Sequence, residues 1–195
     1  MNYFTKVIKL DGNITKLKNK ALKEALKSPY DYFFLIEENC EVLNDEVFNK
    51  FIETSKATGI EALMWARADL NRKLPFEDDR LIQYWSDFVS TFSMYTRKVV
   101  ETVGFMDEKM PPNTWQDIEY AKRIGDAGLS TPFGMFASPR GVDNYLKVTK
   151  VPNTKSIKDL EEALKYWESK EGDNFPIEIK KPMKEIREQT ITEMI

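Results

Sequence analysis

The 195-residue chain contains no histidine and a single cysteine, Cys40. Without histidine there is no Ser-His-Asp or Cys-His relay, no imidazole base and no His-bearing zinc site. One cysteine cannot close an intramolecular disulfide or form a CxxC pair, so nothing indicates an oxidising compartment. A charge excess is missing too. Against 29 Lys and Arg stand 32 Asp and Glu, a net of −3 that by itself points to neither nucleic acid nor a membrane surface. No apolar run approaches the roughly 20 residues of a spanning helix. The start, MNYFTKVIKLDG, carries Lys6, Lys9 and Asp11 within its apolar stretch, so it is neither a signal-peptide core nor a span. A soluble, cytoplasmic protein is expected. Its chemistry is limited to carboxylates, amides, hydroxyls, Lys and Arg.

What is present suffices for one hydrophobic core. YFTKVIKL (3–10) reads as a strand, and Asp11-Gly12-Asn13 as a turn. Ile14, Leu17, Ala21, Leu22, Ala25 and Leu26 recur at helical spacing, and Ser28-Pro29 ends that helix. YDYFFLI (30–36) suits a strand buried on both faces. Asn44 or Asp45 caps a helix that Gly59 closes, and IEALMWA (60–66) is a further strand. Residues 67–85 read as a polar excursion loop. DFVSTFSMY (87–95) reads as a strand leading into a helix over 97–103, which Gly104 stops. A helix over 116–127 ends at Gly128, and LSTPFGMFAS supplies a last core strand. Strands alternating with helices imply an α/β fold with a mainly parallel sheet.

From about residue 139 the character changes. Residues 151–195 hold 18 charged side chains, which leaves no core-sized apolar pattern there. Ser156 and Asp159 resemble a capping box, and Leu160, Ala163, Leu164 and Trp167 form one apolar stripe.

Two places are suited to chemistry. The acidic cluster Glu37, Glu38, Asn39, Cys40, Glu41 follows a buried strand, where open α/β sheets bind ligands, and can hold a divalent cation with its diphosphate. On spacing alone the simpler reading is a solvated loop whose carboxylates favour the next helix N-terminus. Asp117, just after Trp115 and at the start of a helix, is either a cap or a general base beside an aromatic platform. Trp85 and Trp115 fall in expected loops and are candidates for ligand stacking. The basic face of residues 1–30, with Lys16, Lys20 and Lys23, reads as a solvated helix face, and phosphate-backbone contact is the alternative.

The order of these pieces resembles the family-2-like inverting glycosyltransferases of the GT-A fold. Asn13 followed by Leu17-Lys18-Asn19-Lys20-Ala21-Leu22 is similar to that family's N-x-G-x-x-x-A-R-N-x-G segment. YDYFFLIEENCEV resembles its buried strand running into the DxD-type motif. FVSTFSMYTRKVVETVGFMDEKM resembles the acceptor-side stretch ending in G-x-F-D-E. TWQDIEYAKRIGDAGL resembles the helix E-D-x-D/E-x-x-x-R-x-x-x-A-G that carries the base, and KYWESKEGD a terminal Y-x-x-K-W-G element. The likeness spans roughly residues 5–137, and its ordered series makes it specific.

The resemblance implies a role for each matching residue. Asp117 would be the base that deprotonates the acceptor hydroxyl. Glu37 and Asn39 fall on the ends of the DxD motif, with Glu38 between them, and would face the donor and a Mn²⁺ or Mg²⁺ ion. Lys18 falls on an Arg near the nucleotide, and Trp115 and Gln116 would shape the acceptor site. Three of these depart from the family pattern: Asn39 replaces an Asp, Gln116 an acidic residue and Lys18 a planar guanidinium. The resemblance further implies a GT-A-like core over 1–138 without the family's front strand-helix-strand unit. Residues 139–195 would be a charged, largely helical extension packing on that core or on a partner, including a second copy. The expected function is transfer of a sugar from a nucleotide-sugar to a hydroxyl acceptor. The alternative is a catalytically inactive GT-A-like domain serving as a binding or structural module.

Overall fold

The computed structural model describes residues 13–65, 81–85, 91–111, 116–131, 136–148 and 157–171. The expected strand 3–10, Trp115, most of the 67–85 segment and the chain beyond 171 lie outside the described residues.

Helix α1 (Ile14–Leu26) begins where Asn13 accepts the backbone N–H groups of Thr15 and Lys16 through its side-chain oxygen. Strand β1 (Tyr32–Ile36) and the short strand β2 (Cys40–Val42) follow. Helix α2 (Glu46–Thr58) has Asp45 at its N-cap position, yet it is the Asn44 side chain that accepts the Glu46 N–H, at 2.9 Å. Gly59, at φ 73°, ends α2 in the left-handed region that favours glycine. Strand β3 (Ala62–Met64), strand β4 (Ile82–Trp85), strand β5 (Phe92–Thr96) and helix α3 (Arg97–Val103) come next. Helix α4 (Gln116–Asp126), strand β6 (Phe136–Pro139), strand β7 (Leu146–Val148) and helix α5 (Ile157–Glu171) complete the order.

The α/β class holds, but the direction of the strands differs from the expected mainly parallel sheet. Every ladder among the described residues is antiparallel: β1–β5–β3, β2–β7 and β4–β6. The reason lies in the connections. A helix, α2, joins β1 to β3, and these two strands do run the same way. No helix was legible between β3 and β5, so nothing in the sequence required β5 to return in parallel. It enters reversed between β1 and β3. A second correction falls on the excursion loop, because its end, Ile82–Trp85, forms β4 against β6. Trp85 is accordingly core, 2 % exposed, and its indole N–H donates to Ser138 Oγ at 2.9 Å. Stacking on a ligand is ruled out for it.

Period-2 alternation distributes the central sheet between two cores. Phe34, Phe92, Met94 and Leu63 pack with Val47, Phe51 and Ile52 of α2. Phe33 and Tyr95 pack with Leu22 of α1, Val99 and Val100 of α3, and Tyr120 and Ile124 of α4. Helices thus cover both faces, as the near-continuous apolar run of β1 implied. Residues beyond 139 also join the body: β7 pairs with β2, and α5 seats Ala163, Leu164 and Trp167 against Met110 and Ile118.

Candidate functional site: a lysine between two carboxylates

Three of the residues singled out from sequence meet in space. Lys18 lies in α1, Glu37 directly beyond the carboxyl end of β1, and Asp117 in the first turn of α4. The Lys18 ammonium donates to Glu37 Oε1 at 3.0 Å and to both oxygens of Asp117 at 2.8 and 3.0 Å. Its face of α1 turns inward beside Leu22, so Lys18 is only 5 % exposed, whereas Lys16, Lys20 and Lys23 are exposed. Burial alone would pull its pKa down. The charges of Asp117 and Glu37, reinforced by their hydrogen bonds, outweigh that and hold it above the ordinary 10.5. The ammonium is therefore charged at neutral pH, and the cluster carries a formal charge of −1. Tyr95 of β5 lies beneath, its ring edge-on to Tyr120 at 5.4 Å. Burial first, and the Asp117 charge second, raise its phenol well above 10, so it stays neutral.

The acidic cluster itself does not converge. The Cys40 N–H donates to the Glu37 carbonyl at 2.9 Å, closing a tight turn with Glu38 and Asn39 at its centre. Glu38 is exposed, and Glu41 is exposed on β2 opposite Lys147. Glu37 alone of the three carboxylates reaches Lys18, and Asn39 adds a neutral amide. Among the described residues no group of three or more Cys, Asp and Glu side chains comes together to hold a metal ion. Gln116, the first residue of α4, is 4 % exposed. Trp115 lies outside the described residues.

A second polar network, not singled out from the sequence, holds the segments that present Asp117. Asn19, next to Lys18, clasps the backbone of Met106: its Nδ2 donates to the carbonyl and its Oδ1 accepts the N–H, both at 2.9 Å. Glu119, two residues after Asp117, is 3 % exposed and accepts Arg123 through both oxygens, at 2.7 and 3.0 Å. Arg123 also donates to the carbonyls of Val103 and Phe105. From α5, Lys170 donates to Glu119 at 2.6 Å and to Asp107 at 3.1 Å, and the Tyr166 hydroxyl donates to Asp107 at 2.6 Å. The Glu119–Arg123 spacing of four is a helix-face signal legible in the sequence. The reach of Lys170 across 51 positions has no such local signal.

Compared with known proteins, the chain matches no family model and no curated protein sequence. No helix among the described residues is long and apolar enough to cross a membrane.

Proposed function

We propose that this chain is a GT-A-like glycosyltransferase that moves a sugar from a nucleotide-sugar donor to a hydroxyl acceptor with inversion. The observation that carries the reading is the meeting of Lys18 with Glu37 and Asp117 at 3.0 and 2.8 Å. Motif order had selected these residues for nucleotide, donor and base, and they come from segments as much as 99 positions apart. Two features of the fold support it. Glu37 directly follows the carboxyl end of β1. The unit β1–α2–β3 is a crossover whose strands point to one edge.

In this reading Asp117 takes the proton of the acceptor hydroxyl while the acceptor oxygen attacks the anomeric carbon, and the nucleoside diphosphate leaves. Lys18 occupies one direction on each Asp117 oxygen. Glu37 and Asn39 would flank the donor, and Gln116 would border the acceptor.

The test is release of UDP from UDP-sugars in the presence of pooled acceptors. Asp117→Asn is expected to lower the rate about 10²–10⁴-fold, the range for loss of a general base, with donor affinity by calorimetry unchanged. Absence of both binding heat and UDP release overturns the reading. A catalytically inactive GT-A-like binding module is the second reading, favoured by the neutral Asn39 at the metal-side position and by the pairing of Glu37 with Lys18. Donor binding with no UDP release, indifferent to Asp117→Asn, selects it.

A further inference from the structure

The family that the motifs resemble would place a divalent cation beside Glu37 and Asn39. The residues present do not fit one. A Mn²⁺ or Mg²⁺ ion needs several oxygen donors converging within about 2.0–2.2 Å. Here Glu37 Oε1 is held by an ammonium at 3.0 Å, both Asp117 oxygens are held by the same ammonium, and Glu38 and Glu41 are exposed. Asn39 offers a neutral amide, a weaker ligand for hard cations than a carboxylate.

We propose that the Lys18 ammonium is the resident cation of this site, standing where a divalent ion would have to sit and keeping such an ion out. Several observations carry this. The ammonium is tethered through a helix whose Asn13 cap and Asn19–Met106 clasp fix its position. Because it is covalently attached, its local concentration is high and does not vary with the medium. It is buried, with a side-chain exposure of 6 %, so a divalent ion cannot enter between the carboxylates while it remains. Two like charges at that spacing repel strongly in a partly desolvated cluster. The ammonium also makes hydrogen bonds to oxygens that a metal would need, donating to Glu37 Oε1 and to both Asp117 oxygens.

The decisive probe is Mn²⁺ alone, followed by electron paramagnetic resonance and by thermal unfolding. Wild type is expected to leave the free Mn²⁺ signal undiminished at equimolar protein and to show no Mn²⁺-dependent rise in Tm. Lys18→Met keeps the length of the side chain but removes the ammonium from between Glu37 and Asp117. It is expected to unfold at lower temperature, to recover on addition of Mn²⁺, and to bind Mn²⁺ at least roughly tenfold more tightly than wild type. Mn²⁺ bound by wild type and released by Glu37→Gln overturns the proposal, and so does a folded Lys18→Met that gains no Mn²⁺ affinity. Should Lys18→Met not fold, the wild-type and Glu37→Gln measurements decide.

Discussion

Cys40 is half-buried at the start of β2, three residues past the Glu37 carboxylate. Burial, with the nearby charge of Glu37 adding to it, pushes its thiol from the ordinary 9.0 to about 11. At pH 8 the thiolate population is then on the order of 100-fold below that of an unperturbed cysteine, and only the thiolate attacks. Iodoacetamide labelling followed by mass spectrometry is expected to be correspondingly slow at pH 8 in the folded protein. It should return to the ordinary rate in urea and accelerate as pH rises toward 11. Labelling as fast in the native state as in urea would contradict this. The lone thiol packs at the edge of the core between α2 and the central sheet. At the same scale Lys18, Glu37 and Asp117 were legible because each falls on a motif position. Their contact was not: Lys18 shares a face of α1 with Ile14 and Leu22, four residues to either side, but no spacing along the chain links it to Glu37 or Asp117. Trp85 was misread for the same physical reason: its partner, Ser138, lies 53 positions away.

Among the elements, the helix boundaries were the most legible part of the fold, because their signals are local. Asn13, Gly59, Gly104 and Gly128 stand at the ends of α1, α2, α3 and just past α4, and each glycine has positive φ. Strand direction was not legible, because it depends on whether a connection carries a helix, and the stretch from β3 to β5 gave no helical period. Between elements, one side chain does a disproportionate share of the fastening. Asn19, buried in α1, satisfies both backbone groups of Met106 in the segment after α3, and its Nδ2 also donates to Glu108 at 2.9 Å. Asn19→Ala leaves a buried N–H and a buried carbonyl without their partner. The expected loss is about 3 kcal/mol, since each unsatisfied group costs roughly 1–3 kcal/mol. Asn19→Leu restores volume but not hydrogen bonds, so it should lose a similar amount. Urea unfolding midpoints of the two variants check this. Recovery of stability by Asn19→Leu would show that the site needs packing rather than polar pairing.

For the molecule as a whole, the question is what α5 does on the body that carries Asp117. Its apolar stripe was legible from Ala163, Leu164 and Trp167, and Trp167 is 1 % exposed. The surface it covers was not, because Met110 and Ile118 belong to segments with no local relation to it. The polar edge of the contact joins Lys170 and Tyr166 to Asp107, and Lys170 to Glu119. This edge makes α5 docking dependent on pH in a direction that can be worked out. For Asp107, burial acts to raise the pKa. The hydrogen bonds from Tyr166, the Lys109 N–H and Lys170 outweigh it, so the folded value lies below the ordinary 3.8. Its contribution is present above 3.8 and is lost as pH falls through the folded value. For Lys170, burial lowers and the carboxylates of Glu119 and Asp107 raise, with a net rise above 10.5. Its contribution is present below 10.5 and is lost as pH rises through the folded value. Docking of α5 is thus expected to be insensitive to pH between these limits and to weaken beyond either one. Hydrogen exchange of the α5 amides, or limited proteolysis within 157–171, reads this directly. Asp107→Asn removes the titrating group at the acid end while keeping an acceptor for Tyr166. It should lower protection of α5 at neutral pH and flatten the acid limb, while leaving the alkaline limb, which Glu119 and Lys170 sustain. If the acid limb persists unchanged in Asp107→Asn, a different carboxylate governs the docking. Glu119, joined to Lys170 at 2.6 Å and two residues from Asp117, is then the group to substitute next.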